Sequence, residues 1–533
     1  MGKSNILMRH SFLALWVAFL FLFLFIVLPL TITFGIGDIE KFLDVLKTPS
    51  VLSILKFTLI QAVLSTFLAF AAGLPAAYYY SRHNNSLSSL LYYTTYIPFF
   101  LPGISMVVGF LVLLGRYGIL NNFLSLVGIG RKQFLYSFSA ILLGHTFYNS
   151  PITVRIVGNA LKNLPAEIIE AGKVDGASKI KLFWSLEMPL IVPAVLSSLI
   201  LTFSYCFTSF AVVLILGGSQ YATLEVAIYM YLKLLARPEV AMGLALIQFL
   251  FIFAFGFFGT FFESRISLPI GNRIIYKGGL FSSVALLYLL FEWLPVFSGV
   301  FGSFYDFRRS RFFFDKIVNL FSAGRVEILG TSILNTIFRS LRLSLIAAFL
   351  ATAISFIISW SARNSKFENI SVRLTSLISI SITPAILALG YIIAYRNLPP
   401  QMSMVLLYTV VSFPVVINLF HAEMASFDSA IIEAARIDGA RFCQILRYIA
   451  IPLLKPAIAT GFAITFAISM GEFSGSLILG SDRAPTITVA IYRMLSSKHV
   501  PEARLLSSLL VIIVLVTIFI INRLSIRVFR SKI

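Results

Sequence analysis

The chain has 533 residues, of which 59% are hydrophobic and only 12% are charged, and it contains 52 phenylalanines. About 25% of the residues of a typical soluble domain are charged, so this composition excludes an ordinary soluble protein and indicates a membrane protein. The formal net charge of +20 comes from basic residues spread through the loops without an RNA-binding aromatic motif, so we expect them to contact the headgroups of the lipid bilayer and not nucleic acid.

Apolar runs long enough to cross about 30 Å of hydrocarbon as helices recur along the whole chain. They are continuous, whereas barrel strands alternate over about ten residues, so the sequence predicts an all-α polytopic membrane protein with about twelve transmembrane helices. The first run follows Lys3 and Arg9 and is too long for the core of a signal peptide, so we predict that it stays as a spanning helix. The predicted spans lie near residues 11–34, 53–79, 90–115, 134–154, 189–216, 241–262, 279–302, 340–360, 374–395, 402–420, 451–480 and 505–522.

An internal repeat divides the chain into two halves. Residues 166–239 align without a gap to residues 429–502, and the spacing is 263, as given by Glu433 and Glu170 (433 minus 170). Each polar copy follows four predicted spans of its half and precedes two more. Six spans are an even number, so the second half enters the bilayer from the same side and the repeats are parallel, in contrast to the inverted repeats of many secondary transporters. The predicted domains are residues 1–270, with a polar loop at 166–189, and residues 271–533, with a polar loop at 429–452.

Each polar loop predicts a helix-turn-helix elbow outside the bilayer. In the first copy AEIIEAGKV forms two helical turns, and Asp175-Gly176 is a turn dipeptide because glycine accepts backbone angles denied to other residues. A second short helix runs to Pro189, which begins the next span near its first turn and makes the elbow continuous with a membrane helix. The alternative, an ordinary amphipathic loop, does not explain two gapless copies. Small residues that permit the close approach of a partner backbone are Ala171, Gly172 and Ala177 in the first elbow and Ala434, Ala435 and Ala440 in the second.

These elbows resemble a motif of the membrane subunits of binding-protein-dependent ABC importers. That motif reads E-A-A, three residues, Gly, nine residues, Ile, one residue and Leu-Pro, and here it begins at Glu170 and again at Glu433. The departures are Gly172 in place of Ala, which costs a helix about 1 kcal/mol, and Met188 and Ile451 in place of Leu. The likeness covers essentially the whole chain.

The resemblance is strongest to fused permeases of the thiamine and ferric-iron branch, on stretches such as those at 207–229 and 471–481. It implies the transmembrane domain of a type I importer in a prokaryotic plasma (inner) membrane. It also implies that each elbow couples to one of two copies of an ABC ATP-binding subunit and that a substrate-binding protein docks on the extracytoplasmic side. The implied coupling residues are Glu170, Ala171, Asp175, Gly176 and Ala177 in the first elbow and Glu433, Ala434, Asp438, Gly439 and Ala440 in the second.

The sequence does not contain the motif with which a chain would hydrolyse ATP itself. That motif, GxxxxGK[ST], holds the phosphates with backbone amides and a lysine, and the only GKS is Gly2-Lys3-Ser4, without the upstream glycine. We therefore predict a non-catalytic subunit that binds no cofactor, with ATP and Mg²⁺ used by a partner ATPase. Cys206 and Cys443 are too few and too far apart for a metal or redox motif, so no metal site is predicted.

The orientation of the chain depends on where its basic residues lie. We count about 22 Lys and Arg on the side of the polar loops and about 20 on the other side, a weak bias. Much of the excess on the other side lies in one long loop at 304–329, and long loops weigh less in this rule. Because Arg523, Arg527, Arg530 and Lys532 follow the last span, we predict that both termini are cytoplasmic.

Four side chains at predicted membrane depth are candidates for the substrate path, because polar and ionisable groups are costly there and are often functional. Glu472, in the eleventh span, is the preferred candidate. His145 and Asn149 lie in the fourth span, and the alternative for them is a helix-helix hydrogen bond. Glu292 lies in the seventh span, and its alternative is a position near the outer interface.

Two other classes of function compete with the importer. A secondary transporter coupled to an ion gradient explains neither the parallel repeat nor the elbows. A membrane enzyme such as an intramembrane protease needs paired catalytic groups, and no Asp lies in a predicted span. Apolar residues at helical spacing at 39–47 and 312–321 predict short interfacial helices, which either receive the substrate-binding protein or lie passively on the membrane.

Overall fold

The computed structural model describes most of the chain. The interfacial helix predicted at 39–47, apart from its last residue, lies outside the described residues, as do most of the one predicted at 312–321 and the predicted domain junction at 270. The described residues are 16–35, 47–263, 282–306, 311–312, 318, 321–322, 324, 326–362, 382–425, 429–480 and 484–530.

Helices make up nearly all of the described chain, as expected for segments that must satisfy their backbone hydrogen bonds internally in lipid. Within the described residues the only paired strands are the two-residue pieces Tyr305–Asp306 and Arg311–Phe312. In chain order the principal helices are α1 (Trp16–Gly35), α2 (Pro49–Arg82), α3 (Ser86–Thr94), α4 (Gly103–Leu114), α5 (Ile119–Leu126), α6 (Phe138–Lys162), α7 (Ala166–Val174), α8 (Ile180–Phe207), α9 (Leu224–Tyr229), α10 (Pro238–Glu263), α11 (Ser282–Val300), α12 (Ile333–Ala362), α13 (Pro384–Ala394), α14 (Pro400–Ala425), α15 (Ser429–Ile437), α16 (Phe442–Leu453), α17 (Lys455–Gly471), α18 (Ser474–Leu479), α19 (Ile487–Ser496) and α20 (Val500–Arg530).

In the described part of the chain, nine helices are long and apolar enough to cross a membrane, and the bent pair α16 and α17 adds a tenth. The predicted all-α polytopic fold class is confirmed. Two predicted spans coincide with helices that do not reach this standard. The span at 134–154 corresponds to α6, which has 25 residues but carries polar side chains such as His145 and Asn149. The span at 374–395 corresponds in its described portion to α13, which has 11 residues.

The helices form two compact units. The first unit consists of Asp38–Val318 and Val500–Ser508, and it contains the first elbow. The second unit consists of Met1–Gly37, Asn319–His499 and Leu509–Ile533, and it contains the second elbow. The grouping by contacts therefore differs from the two halves of the sequence repeat, because α1 belongs to the second unit and α11 to the first.

The core of the first unit is a bundle of α2, α6 and α8. An apolar cluster between these helices includes Ala77, Leu161 and Ile191, and Ile169 of α7 is buried in the same cluster. The elbow helix is therefore fixed to the bundle by its apolar face. Helix α11 joins this unit through polar contacts as well, since the indole nitrogen of Trp293 donates to Thr94 at 3.1 Å.

The core of the second unit is a bundle of α12, α14 and α17. Phe356, Phe420 and Ile432 are buried together in it, so the helix of the second elbow is attached to its bundle by an apolar face too. Helix α1 packs in this unit on α13, where the Tyr391 hydroxyl donates to the backbone carbonyl of Phe25 at 2.9 Å.

A pair of equivalent hydrogen bonds shows that the repeat extends beyond the region in which the sequences align. The Thr58 hydroxyl of α2 accepts from the backbone amide of Leu224 at 3.0 Å, and the Ser340 hydroxyl of α12 accepts from that of Ile487 at 2.8 Å. Leu224 and Ile487 are 263 residues apart, whereas Thr58 and Ser340 are 282 apart (340 minus 58). Helices α2 and α12 are therefore structural counterparts with a different spacing.

Candidate functional site: two repeated elbows

A Schellman turn ends the first helix of the first elbow. The Gly176 amide donates to the carbonyl of Lys173 at 3.0 Å, and the Ala177 amide donates to that of Gly172 at 3.1 Å, which is the paired pattern that satisfies the last carbonyls of a helix. Gly176 has a φ of +75°, a left-handed conformation that other L-residues adopt only at a cost. The sequence Asp-Gly-Ala therefore ends the helix, and Asp175 is its C-cap residue.

The second elbow ends its first helix in the same way. Here the Gly439 amide donates to the carbonyl of Arg436 at 3.1 Å, the Ala440 amide donates to that of Ala435 at 2.9 Å, and Gly439 has a φ of +83°. A short helix follows each turn. The predicted helix-turn-helix geometry is confirmed in both copies.

A π-helical segment joins each elbow to the next helix, at Phe183–Glu187 in the first copy and Leu446–Ala450 in the second. The first copy then continues as one helix to Phe207, as predicted. In the second copy the span predicted at 451–480 is not one continuous helix. Leu454 leaves the helical conformation with φ −90° and ψ 6°, and the axis bends there by 71°. A new helix starts with Pro456 in its first turn, where the missing amide hydrogen costs least.

The tip of each elbow is the last residue of its first helix, Val174 or Ile437, and it is similarly exposed in both copies. Ile169 and Ile432, 263 residues apart, are buried against the bundles, whereas Val174 is 87% exposed and Ile437, its counterpart, is 84% exposed. Each tip therefore presents one large apolar side chain beside charged ones. Val174 and Ile437 were not among the predicted coupling residues. The exposed members of that set are Glu170, Ala171, Asp175 and Gly176 in the first elbow and Glu433, Ala434, Asp438 and Gly439 in the second.

Some of the small residues of the elbows pack inward and are only partly accessible to a partner. A Cβ added at Gly172 would lie 2.6 Å from a methyl carbon of Leu182, so glycine in place of alanine lets the second elbow helix approach the first. Ala435 and Ala440 lie against the apolar cluster of the second unit, and Ala177 is half-buried.

The carboxylate of Glu472 caps helix α18. Its Oε1 accepts from the amide of Gly475 at 2.9 Å and the hydroxyl of Ser474 at 3.3 Å, and its Oε2 accepts from the amide and hydroxyl of Ser476 at 2.9 and 2.7 Å. Both oxygens are thus supplied with donors, as expected for an acidic side chain at a helix N-terminus. Glu472 is buried, and its place on a substrate path stays a prediction.

His145 and Asn149 belong to a buried polar cluster between α2, α6 and α8. His145 Nδ1 lies 3.0 Å from the hydroxyl of Ser65, Asn149 donates to the sulfur of Cys206 at 3.3 Å, and Gln61 donates to the Cys206 carbonyl at 2.8 Å. Helices α2 and α6 each contribute two residues four positions apart, which share one face of their helix, and α8 contributes Cys206. These contacts favour the helix-helix hydrogen bond for His145 and Asn149 over direct substrate contact.

The cluster is repeated only in part in the second unit. The positions equivalent to Gln61 and Ser65 are Leu343 and Ala347 at the spacing of 282, and the position equivalent to His145 is Tyr408 at the spacing of 263. The positions equivalent to Asn149 and Cys206 are Ser412 and Ser469, which are polar and buried, so the second unit lacks the polar side chains of α2 but keeps polar groups at the other positions.

Glu292 is fully buried on α11 and contacts α6. The Ser150 hydroxyl donates to Glu292 Oε1 at 3.0 Å and lies 3.1 Å from the Tyr288 hydroxyl, while Glu292 Oε2 has no hydrogen-bond partner. Burial between helices favours an interior position over the outer interface. Of the two carboxylates among the predicted path residues, Glu292 is the one with a free oxygen.

Several buried polar residues were missed by the reading of the sequence. Gln61 and Ser65 carry a weak signal, a spacing of four within an apolar run. Glu225, which accepts a hydrogen bond from Gln248, carries no such signal in the sequence, because it lies between the elbow and the last predicted span of its half, where no span is predicted.

Taken together, the fold and the repeated elbows define a polytopic α-helical permease with two fused copies of one transmembrane module. The chain belongs to the family of inner membrane components of binding-protein-dependent transport systems, whose sequence model matches it twice, at residues 65–268 and 351–532. Each match contains one elbow. The chain is thus the membrane component of an ABC importer, a multi-pass protein of an inner-membrane permease family, and the ion-coupled transporter is set aside.

Individual relatives share about a quarter of its residues. The thiamine transport system permease protein ThiP of Salmonella typhimurium is 24% identical over 491 residues, 87% of each chain. ThiP of Brucella abortus is 25% identical over 492 residues, 88% of this chain and 87% of the relative. A Haemophilus influenzae relative described as a ferric transport system permease protein, FbpB 1, is 23% identical over 411 residues, 72% of this chain and 63% of the relative.

The left-handed glycine of the elbow gives a first prediction. Gly439→Ala places a Cβ in open space but in a conformation that costs about 1–2 kcal/mol, so hydrogen exchange of the amides at 438–440 in the detergent-solubilised protein should become faster. Gly35→Ala is the control, because its Cβ also meets nothing within 4 Å and its φ is not positive. Unchanged protection in Gly439→Ala would contradict the role assigned to this turn.

A second prediction compares two buried glutamates. Glu472→Gln leaves one acceptor oxygen where two are used, so it should lower the free energy of unfolding by about 1–3 kcal/mol. Glu292→Gln keeps an acceptor for Ser150 and should be much closer to neutral. Thermal unfolding of both variants in the same detergent measures the difference, and equal melting temperatures would speak against the capping role of Glu472.

Proposed function

We propose that this chain is the permease of an ATP-driven importer that alternates its opening between the two sides of the membrane, and that its two elbows couple it to two copies of an ABC ATP-binding subunit. The observation that carries the proposal is the repeated elbow within each family match. The backbone turn, the buried isoleucine and the exposed tip all recur at one spacing. A passive loop has no reason to keep all three.

The chemistry of the tips suits a protein partner. Val174 and Ile437 are large apolar side chains held in an aqueous loop, and burying one of them against a partner is worth about 1.5–3 kcal/mol. Glu170 and Glu433 lie one turn away and are exposed, so they add charge that orients the partner. Two tips of the same form require a partner present in two copies.

The importer takes its energy from that partner. ATP and Mg²⁺ bind to the ATPase subunits, and the permease itself holds no nucleotide. Since the ATPase is a cytoplasmic protein, the elbows and both termini of the chain are placed on the cytoplasmic side, and a substrate-binding protein docks on the opposite face. The C-terminal arginines agree with this orientation.

Thiamine is the substrate that the relatives favour, because ThiP proteins match over almost the whole chain. Ferric iron is the second candidate, supported by the match to FbpB 1. Both are cations, and a cation crossing the membrane domain needs a carboxylate or aromatic lining. We place Glu292 on this path, since one of its oxygens has no protein partner, whereas the oxygens of Glu472 are occupied.

The coupling proposal predicts a loss of affinity when the tips become polar. Val174→Gln with Ile437→Gln should weaken binding of the ATPase at least about tenfold, since each tip contributes burial worth more than 1.4 kcal/mol. The assay is pull-down of the purified ATPase by the tagged permease over a concentration series. Leu126→Gln is the control, because Leu126 is 86% exposed but lies outside the elbows. Equal affinities of the parent and the double variant would exclude these tips as the docking site.

The substrate proposal predicts uptake of labelled thiamine into proteoliposomes that contain the permease and the ATPase, with the binding protein outside and ATP inside. Glu292→Gln should reduce that uptake about tenfold or more, as expected for the loss of a contact to a charged group, while pull-down of the ATPase stays unchanged. Uptake of ferric ion in place of thiamine would decide for the second candidate. Uptake without ATP would contradict the importer itself.

A further inference from the structure

A buried ion pair connects the first elbow to helix α2. Arg82 Nη2 lies 2.9 Å from Glu187 Oε1, and the two side chains are 0% and 1% exposed. Arg82 is the last residue of α2, and Glu187 is the last residue of the π-helical segment that joins the elbow to α8. The pair therefore joins the ends of two elements that are 105 residues apart in sequence (187 minus 82).

Arg82 also contacts a third element. Its Nη1 donates to the carbonyl of Leu161 near the end of α6 at 3.4 Å, and its guanidinium lies 5.7 Å from the centre of the Tyr78 ring. The Tyr78 ring in turn packs edge-on against Phe183, the first residue of the same π-helical segment, at 5.5 Å. The guanidinium thus contacts α2, α6 and the π-helical segment Phe183–Glu187, which we call the base of the first elbow.

A gain in folding stability does not explain why such a pair is buried here. Removing two charges from water costs about as much as their attraction returns, and well-packed apolar residues in the same place are often equally stable or more so. In the part of the chain that the structure describes, the pair meets through the one Nη2–Oε1 contact, and Arg82 Nε and Glu187 Oε2 have no hydrogen-bond partner. What the pair adds is therefore a charge attraction that draws the two elements together at this point.

The second elbow is an internal control for this argument. The residue equivalent to Glu187 at the spacing of 263 is Ala450, and it is buried in an apolar cluster with Ile445 and Phe420. The same π-helical segment therefore forms and packs in the second unit without an acidic residue. The ion pair is an addition to the first elbow and is not a requirement of the fold.

We propose that Arg82 and Glu187 are positioning residues that lock the base of the first elbow to α2 and α6, so that movement of this elbow is passed to those helices directly. This inference rests on the proposed coupling function. The second elbow, which has Ala450 in an apolar cluster at the position of Glu187, slides more easily. The two ATPase subunits therefore act on inequivalent inputs, although they are identical copies.

The central variant for a test is Arg82→Met with Glu187→Met, which removes both charges and keeps the volume. It is expected to fold and to bind the ATPase as the parent does. In proteoliposomes containing the ATPase, with binding protein outside, ATP hydrolysis should persist while the number of thiamine molecules imported per ATP falls at least about fivefold. A ratio equal to that of the parent would overturn the proposal. Arg82→Lys, which keeps the charge at the same place, should recover most of the ratio, and a ratio as low as that of the double variant would count against an ionic lock.

A second measurement does not depend on the ATPase. In the detergent-solubilised permease, the double variant should show faster hydrogen exchange at residues 183–187, while residues 446–450 of the same molecule stay unchanged. Equal exchange of the first segment in parent and variant would show that the pair does not hold the elbow. If the parent failed to bind any ABC ATPase, the proposed function would fall, whereas the exchange result would still report on the lock itself.

Discussion

Hydrocarbon offers no hydrogen bonds, and this constraint shapes the chain more than any individual contact. Every backbone amide and carbonyl at membrane depth must be satisfied within its own segment, so the described residues are almost wholly helical. Helices can end only where another group completes the pattern. At the elbows the Schellman turns at Gly176 and Gly439 do so, and at α18 the carboxylate of Glu472 does so. Among the described residues, the sites of irregular backbone include the two elbows, at which coupling is proposed.

The repeated modules make each half of the chain a reference for the other. What both halves keep is the turn, the buried isoleucine, the exposed tip and the π-helical segment, all at a spacing of 263. What differs is part of the interior, where Leu343 and Tyr408 of the second unit stand at the positions equivalent to Gln61 and His145 of the first. Features that are shared belong to the module, whereas features present once need a separate reason. By that test Gln61, Ser65 and the Arg82–Glu187 pair are additions to a common frame.

Local patterns in the sequence were sufficient for the all-α class and for both elbows, because a turn such as Asp175-Gly176 is determined by a few neighbouring residues. Contacts between distant segments were not accessible in this way. Nothing near Arg82 or Glu187 indicates that they pair, and Ser65 shows its partner His145 only once the helices are packed. The bend at Leu454 was missed too, since Pro193 and Pro456 look alike in sequence although only one follows a break in the helix. The contact units also differ from the predicted halves, because α1 packs in the second unit and α11 in the first.

The break at Leu454 makes the two elbows differ in how each connects to the helix that follows it. In the first unit the elbow continues into one helix, Ile180–Phe207, which is about 40 Å long at 1.5 Å per residue. In the second unit α16 and α17 meet at an angle of 71°, so the helix that follows the elbow leaves it in a different direction. In the coupling proposed above, the same push from an ATPase subunit would therefore move the helix of the first unit along its axis and tilt the helix of the second.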